Sequence, residues 1–445
     1  MRGLRKKRVS TVSPPRILVV GFAVLIAVGT ILLSLPVATS SGDGAGILTA
    51  LFTSTSAVCV TGLVVVDTGT FWSPFGQFII LLLIQIGGLG FMTMATLFAI
   101  LLGKKIGLRE RMVITEALNQ VNPAGIVRLV RNVLIFAFTI EALAALILTG
   151  FWFQELGWRS LWFGVFHAVS AFNNAGFDLV GDFRSLSPYV NSPVVNAAIF
   201  IPVVLGGLGF AVVTDVYQKR RWSRFALHTR LVLVITLMLL LAGAAIILML
   251  EYNHVLKQLD WGSKIMAALF QAAMPRTAGF STINMSELEI TTQFIITLLM
   301  FVGAAPGSTG GGIKITTLAV LVLAAYALSR GREDAEIFRR RIPKDQIYRA
   351  LTIALIGIVL VILVTLALLI SEGQDFLVTL FEAVSAFSVV GLSLGLTTQL
   401  SPVGQVLIII TMFIGRLGPL TVAFALGKTK KRTGIRHPEE KILVG

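Results

Sequence analysis

FEAVSAFSVVGL, residues 381–392, decides the fold, because the chain writes it four times. The other copies are FTSTSAVCVTGL (52–63), FHAVSAFNNAGF (166–177) and FQAAMPRTAGF (270–280). Each opens on Phe, runs through a small, mostly Ala/Ser segment and closes on Gly followed by an apolar residue. The Phe-to-Gly interval is ten residues in three copies and nine in the third. Self-similarity at a long, regular period marks a chain assembled from repeated units, and it must be found before any element is assigned. Four such units in one membrane chain predict a fourfold pore built from a single polypeptide.

The rest of the composition supports the membrane reading. Over 445 residues the chain is 56% hydrophobic and 13% charged, where soluble proteins carry about 25% charged residues; mean hydropathy is +0.88. Apolar runs near the ~20 residues needed to cross a ~30 Å hydrocarbon core recur throughout. No sizeable soluble domain is present, and the longest polar stretch, 329–349, reads as a loop. The net charge of +15 is not a nucleic-acid signal, because 30 of the 37 basic residues fall in five segments, at the two termini and between the units, with 9 of the 22 acids. The opposite-side loops and pore segments hold 5 basic and 12 acidic residues. Lys and Arg stay on the cytoplasmic side, so both termini and all inter-unit loops are expected there. The four motifs then face outward, where the acidic excess draws cations modestly. Cys59 is the single cysteine, so no intrachain disulfide is possible. His167, His228, His254 and His437 lack metal-ligand spacing. The apolar segment 17–35 is longer than a signal-peptide core of about 7–15 residues and reads as the first span.

Each unit has the same order: first helix, short apolar segment, Gly-ended loop, second helix. The first helices are expected at 17–35, 133–153, 231–250 and 350–370, the second at 75–102, 194–217, 292–328 and 403–426. Between them, segments near 48–58, 160–172, 262–274 and 376–387 are too short to span and suit re-entrant helices. Irregular backbone at membrane depth is tolerated where it lines a wet cavity or is buried in protein. The expected fold is thus an all-α membrane protein with eight transmembrane helices plus four re-entrant pore helices, in four pseudo-fourfold helix–pore loop–helix repeats. Its parts are a basic N-terminus (1–16), repeat 1 (17–103), a cytoplasmic linker with repeat 2 (104–218), repeat 3 (219–330), a cytoplasmic loop with repeat 4 (331–426) and a C-terminal tail (427–445).

A second motif lies in the second helices: IGGLGF from Ile86, LGGLGF from Leu205, TGGGIK from Thr309 and IGRLGP from Ile414. Its first glycines, Gly87, Gly206, Gly310 and Gly415, follow the first-motif glycines by 24 to 31 residues. A small-residue cluster in a membrane helix ordinarily means close helix packing. The third copy is different, because 292–328 exceeds one span and GAAPGSTGGGIK (303–314) carries Pro306 and five glycines, which weaken helix. A break with a mobile intramembrane loop is expected there. The loop is not a phosphate-binding loop, because Gly312 is followed by Ile313 rather than Lys and no strand precedes it. In the fourth copy Arg416 replaces the second glycine. An Arg inside an apolar helix is costly and functional by default: it reads as a gate or barrier beneath the pore, or as a structural partner of Glu141. Gly307, Ser308, Thr309, Gly310, Gly311, Gly312, Lys314 and Arg416 form the candidate gate, with Lys314 readable also as an anchor near the cytoplasmic edge.

The first motif suits potassium. A permeating ion must shed its water, and rings of backbone carbonyls can replace that shell. Glycine permits the backbone turn such a ring requires. Candidate filter residues are Val60, Thr61 and Gly62; Asn174, Ala175 and Gly176; Thr277, Ala278 and Gly279; Val389, Val390 and Gly391. The diversity before each glycine fits recognition by main chain, and the C-terminal ends of the pore helices favour cations. The alternative is four helix-capping glycines. Asp67 and Asp178 are candidate cation attractors at the outer mouth, and Arg276 is expected to point behind the filter. An alternating-access transporter is disfavoured because the units read as parallel copies. No nucleophile–base pair or metal cluster supports an enzyme.

The Phe-x-Ala-x-Ser-like pore segments, single-Gly filters, broken third second helix, Arg416 and RTAGFST (276–282) resemble the Trk/Ktr/HKT superfamily of cation transporters. The likeness covers nearly the whole chain. The first span begins after about 16 residues without two preceding helices, so the resemblance is to the membrane subunit of bacterial Ktr uptake systems. It implies a homodimer in the bacterial plasma membrane, each protomer holding its own pore, seated on a cytosolic ring of RCK-type subunits of the KtrA or KtrC kind. K+ is then the substrate, with Na+ as a stimulating ion. No covalent cofactor is implied, and regulatory nucleotide belongs to the partner ring. Gly62 argues for potassium, since relatives that shift toward sodium carry Ser there. Met274-Pro275 departs from the usual third pore segment.

Overall fold

The computed structural model describes residues 14–90 and 126–426, with Thr93, Met94, Thr96, Leu97, Met112, Ile114, Thr115 and Glu440 besides. The expected N-terminal segment, the linker after the first unit and the C-terminal tail lie largely or wholly outside the described residues.

Four first helices form the outer frame: α1 (Pro14–Leu33), α4 (Ile126–Leu156), α8 (Leu227–Glu251) and α12 (Lys344–Glu372). Each is long and apolar enough to cross a membrane. Their outward faces carry Ile31, Leu146, Met249 and Ile370, all more than 60% exposed. Such surface would be a liability in water and is what lipid contact requires. Inside the frame sit four short helices: α2 (Ile47–Cys59), α5 (Arg159–Phe172), α9 (Trp261–Ala273) and α13 (Phe376–Ser388). Their phenylalanines, Phe52, Phe166, Phe270 and Phe381, are fully buried. The Ala/Ser content lets neighbouring helices close around them, as buried Ala57, Ala171, Ala272 and Ala386 show.

The second helices are α3 (Pro74–Leu89), α6 (Pro193–Gly207), α10 (Ile290–Phe301) and α14 (Pro402–Leu417). Three start at a Ser-Pro pair, in which the serine hydroxyl accepts from Gly76 N, Val195 N or Gly404 N and proline occupies the first turn. That position suits proline because its missing N–H would have no helical partner.

One expectation needs correction. Unbroken second helices over 75–102, 194–217 and 403–426 do not form. Helix α3 stops before Gly90 (φ +84°), α6 turns by 94° into α7 (Phe210–Lys219) across Gly209 (φ +89°), and α14 stops before Gly418 (φ +83°) ahead of α15 (Pro419–Leu426). Only glycine takes that backbone easily, and Pro419 supplies no helical N–H. The third unit breaks as expected, between Phe301 and α11 (Ile315–Ser329). Among the described residues, four helices are long and apolar enough to cross unbroken, and the bent pair makes a fifth if it is one span. The polar stretch after α11 is not all loop: Glu336–Ile337 and Arg340–Arg341 pair as a small antiparallel hairpin, β1 and β2.

The second-motif glycines explain how the inner helices sit. A Cβ added at Gly87, Gly206 or Gly415 would collide with the carbonyl oxygen of Val58, Phe172 or Phe387 respectively. Each second helix is thus pressed against the last turn of a short helix, and close packing is the structural work of this motif in three units. Gly87→Ala and Gly415→Ala should each destabilise the detergent-solubilised protein by about 1–3 kcal/mol through overpacking. A thermal scan checks this; unchanged midpoints in both would contradict the close approach.

Candidate functional site

At the inner end of α2, α5 and α13 the chain makes the same three moves. Val60 N, Asn174 N and Val389 N donate to the carbonyls of Ala57, Ala171 and Ala386 at 3.1–3.2 Å. Thr61 N, Ala175 N and Val390 N then donate to Ser56 O, Ser170 O and Ser385 O at 2.7–2.9 Å. The helix is closed by a residue in left-handed backbone: Val60 (φ +61°), Asn174 (+58°), Val389 (+59°), and, in the third unit, Thr277 (+73°). Two residues later the glycine is again left-handed: Gly62 (+89°), Gly176 (+70°), Gly279 (+73°) and Gly391 (+94°). Left-handed valine and threonine are true outliers, costing about 1–3 kcal/mol each and concentrating at functional sites. Alternating handedness swings successive peptide planes so that neighbouring carbonyls face one side.

The four glycines come together in chain order. A Cβ on Gly62 would strike Ala175 O and Gly176 Cα; on Gly176, Ala278 O and Gly279 Cα; on Gly279, Val390 O and Gly391 Cα; and on Gly391, Thr61 O and Gly62 Cα. The series closes on itself. Carbonyls of the residue before each glycine therefore sit against the next glycine around a ring. No side chain fits between them. Above the ring a cavity of about 540 Å³ is lined by Gly62, Gly176, Gly279 and Gly391 with Asp67, Asp178 and Asp182. Asp67 accepts from Thr70 N and Phe183 N at 2.9 Å and Asp178 from Val180 N at 3.0 Å, so both acids also hold the mouth loops in place.

The third unit is built differently, which accounts for its shorter interval. Helix α9 ends at Ala273, and Ala278 N and Gly279 N both donate to Met274 O (3.0 and 3.4 Å). Arg276 is buried and points behind the ring, donating from Nη2 to Thr236 Oγ1 on α8 at 3.2 Å.

The break between α10 and α11 lies directly beneath. Its ends meet through a parallel bridge, Val302 with Ile313. Ala305 N and Thr309 N donate to Gly207 O and Gly206 O (3.1 and 3.3 Å), and Phe210 N donates to Gly307 O (2.9 Å). A Cβ on Gly310 would meet Thr277 Oγ1, and one on Gly311 the side chain of Val389. The loop therefore touches the first residue of two quarters. Ser308 Oγ donates to Ala305 O at 2.7 Å, and Lys314 Nζ donates to Gly310 O and Gly311 O at 2.7 and 3.1 Å. Arg416 does not pair with Glu141. Its guanidinium donates to Thr309 O, to Gly87 O at 2.5 Å and to Gly88 O at 3.2 Å, bridging the loop to the end of α3. Those carbonyls lack helical partners and carry the negative end of the helix dipole. A cavity of about 240 Å³ opens below, lined in part by Lys314, Arg349 and Arg416.

Two features escaped the sequence reading. Ser56 Oγ and Ser385 Oγ accept from Gly62 N and Gly391 N at 3.1 Å, whereas Ser170 Oγ donates to Phe177 O at 2.7 Å. The recurring serine six residues before the glycine was the available signal. Glu141 is held by Gln85 Nε2 (3.1 Å) and Asn173 Nδ2 (3.0 Å), joining three elements whose proximity no sequence spacing announces.

Comparison with known proteins places this geometry in context. The model of the TrkH cation transport protein family matches residues 11–431. The chain is 45% identical over 436 residues to the Ktr system potassium uptake protein B of Bacillus subtilis, covering 97% of each. It is 37% identical to the potassium/sodium uptake protein NtpJ of Enterococcus hirae, covering 99% of this chain and all of that one. In structure it resembles the potassium transporter TrkH from Vibrio parahaemolyticus, with TM-score 0.75 at 18% identity over 96% of this chain and 87% of the other.

Ser56→Ala and Ser385→Ala orphan the N–H of buried Gly62 and of half-buried Gly391 and should each destabilise the protein by about 1–3 kcal/mol. Ser170→Ala leaves only a carbonyl short of a donor and should lose less. Thermal midpoints in detergent check the order; an equal loss in all three would contradict it.

Proposed function

This chain belongs to the TrkH family of cation transport proteins, and we propose that it is the potassium-translocating membrane subunit of a Ktr-type uptake system. The observation that carries this reading is the closed succession of Gly62, Gly176, Gly279 and Gly391. A bare potassium ion needs several oxygen ligands at once, and a ring of main-chain carbonyls offers them without side-chain identity. This reading gives Val60, Thr61 and Gly62 and their counterparts in the other three units the role of filter, arranged with pseudo-fourfold symmetry. Potential drives influx at about 2.3 kcal/mol per charge per 100 mV. The short helices aim their negative ends at the ion path.

The loop 307–312, with Lys314 and Arg416, is the gate. It lies where an ion leaving the ring must pass, and Arg416 and Lys314 bind its carbonyls. Retraction of the loop frees the path and exchanges these bonds for others. Control comes from a cytosolic RCK-type ring that carries the nucleotide, as suits a relative named as one protein of a Ktr system. The resemblance to Ktr membrane subunits implies a homodimer in the plasma membrane, and the distribution of Lys and Arg puts its termini on the cytoplasmic side. Sodium is a second ion of interest, since another relative is named for potassium and sodium.

Gly62→Ser, Gly176→Ser, Gly279→Ser and Gly391→Ser should each lower potassium-over-sodium preference, read by ion competition for rubidium uptake into proteoliposomes. Unchanged preference in all four would defeat the filter assignment. Arg416→Ala, or deletion of 308–312, should raise basal flux in the absence of the regulatory partner. Normal or reduced flux from well-folded variants would count against a gate.

A further inference from the structure

Directly after each short-helix phenylalanine stands a buried polar residue: Thr53, His167, Gln271 and Glu382. The four occupy one matched position with four different chemistries. Three of them reach the chain just beyond the ring glycine. Leu179 N donates to His167 Nε2 at 3.4 Å, while His167 Nδ1 faces Phe163 O at 2.8 Å. Ser281 Oγ lies 3.4 Å from Gln271 Oε1, but its single proton goes to Ile283 O. Ser393 Oγ donates to Glu382 Oε2 at 2.8 Å, and Thr397 Oγ1 donates to Glu382 Oε1. Ser281 and Ser393 are each two residues past their glycine, and Leu179 is three past. In the first unit the hydroxyl of Thr53 has no partner.

We propose that His167 and Glu382 are positioning residues that tether the outer rim of the filter from behind, and that Glu382 is the tether that matters most for ion preference. This rests on the potassium-filter reading above. Glu382 makes two hydroxyl bonds, where His167 makes one long one to the rim and Gln271 only approaches Ser281. It is fully buried and forms no ion pair among the described residues. A carboxyl placed so is expensive unless its hydrogen bonds are complete, and a neutral helix filler would serve packing better. Ser393 Oγ also accepts from Gly395 N at 3.0 Å, so its single proton is committed to Glu382. The carboxyl therefore fixes the chain from Ser393 to Thr397 and, through it, the orientation of Gly391. A carbonyl ring discriminates ions only while its oxygens hold their spacing, so a slack fourth corner admits the smaller ion.

The test uses the full chain in proteoliposomes and reads rubidium uptake competed by potassium or by sodium. That ratio is independent of how much protein folds. Glu382→Ala should lower potassium-over-sodium preference about tenfold or more, as expected for losing two hydrogen bonds to one buried acceptor. Glu382→Gln should stay within about threefold, because the amide oxygen can accept from Ser393 and the amide nitrogen can donate to Thr397. Ser393→Ala and Thr397→Val should move the ratio the same way by smaller amounts, and they decide the matter if Glu382→Ala does not fold. An unchanged ratio in Ser393→Ala and Thr397→Val, or equal effects of Glu382→Ala and Glu382→Gln, would overturn the tether. Wild-type vesicles without potassium-competed uptake would overturn the transport reading and the tether with it.

Discussion

Four glycine Cα atoms meeting with no room for a side chain is the contact on which the rest of the molecule depends. Each must arrive from a different quarter of the chain, and each arrives on the end of a short helix that stops inside the membrane-embedded body. Stopping a helix there strands carbonyls and N–H groups that lipid cannot satisfy. The Ser56 and Ser385 hydroxyls, the doubled bonds on Met274 O and the contacts of the second helices are local answers to that one demand. The left-handed valines at 60 and 389 store the strain that remains.

The same demand recurs one layer down. Every second helix described is interrupted, and the interruptions lie at one level beneath the ring. At three of them the backbone turns through a glycine. At the fourth, the loop 302–314 folds back so that its ends pair and its carbonyls face Lys314 and Arg416. A cation buried among carbonyls is well solvated without any carboxylate nearby, which is why Arg416 and Glu141 go separate ways. Glu141 finds amide donors on Gln85 and Asn173 instead.

Much of this was legible in the sequence. Repeated Phe-to-Gly segments located the short helices to within a residue or two, because small residues, a terminal glycine and insufficient length leave few alternatives. The break at 303–314 could be read from Pro306 and its glycines. The breaks at Gly90, Gly209 and Gly418 could not, since one glycine in an apolar run is tolerated as often as it interrupts. Cross-unit pairings such as Arg416 with Gly87, or Gly62 with Gly176, depend on how distant segments are carried together, and no local spacing encodes that. The interval of nine in the third copy was visible, but its meaning, a corner closed by Met274 O without a serine, required coordinates.

The matched position occupied by Thr53, His167, Gln271 and Glu382 has a consequence for how such a protein can vary. In an assembly of identical subunits any change is imposed everywhere together, so adjustment is coarse. Here a single codon alters one corner and leaves three in place. Lineages can thus explore discrimination between ions in small, separable increments, and a damaged corner can be tolerated while its neighbours keep the passage in shape.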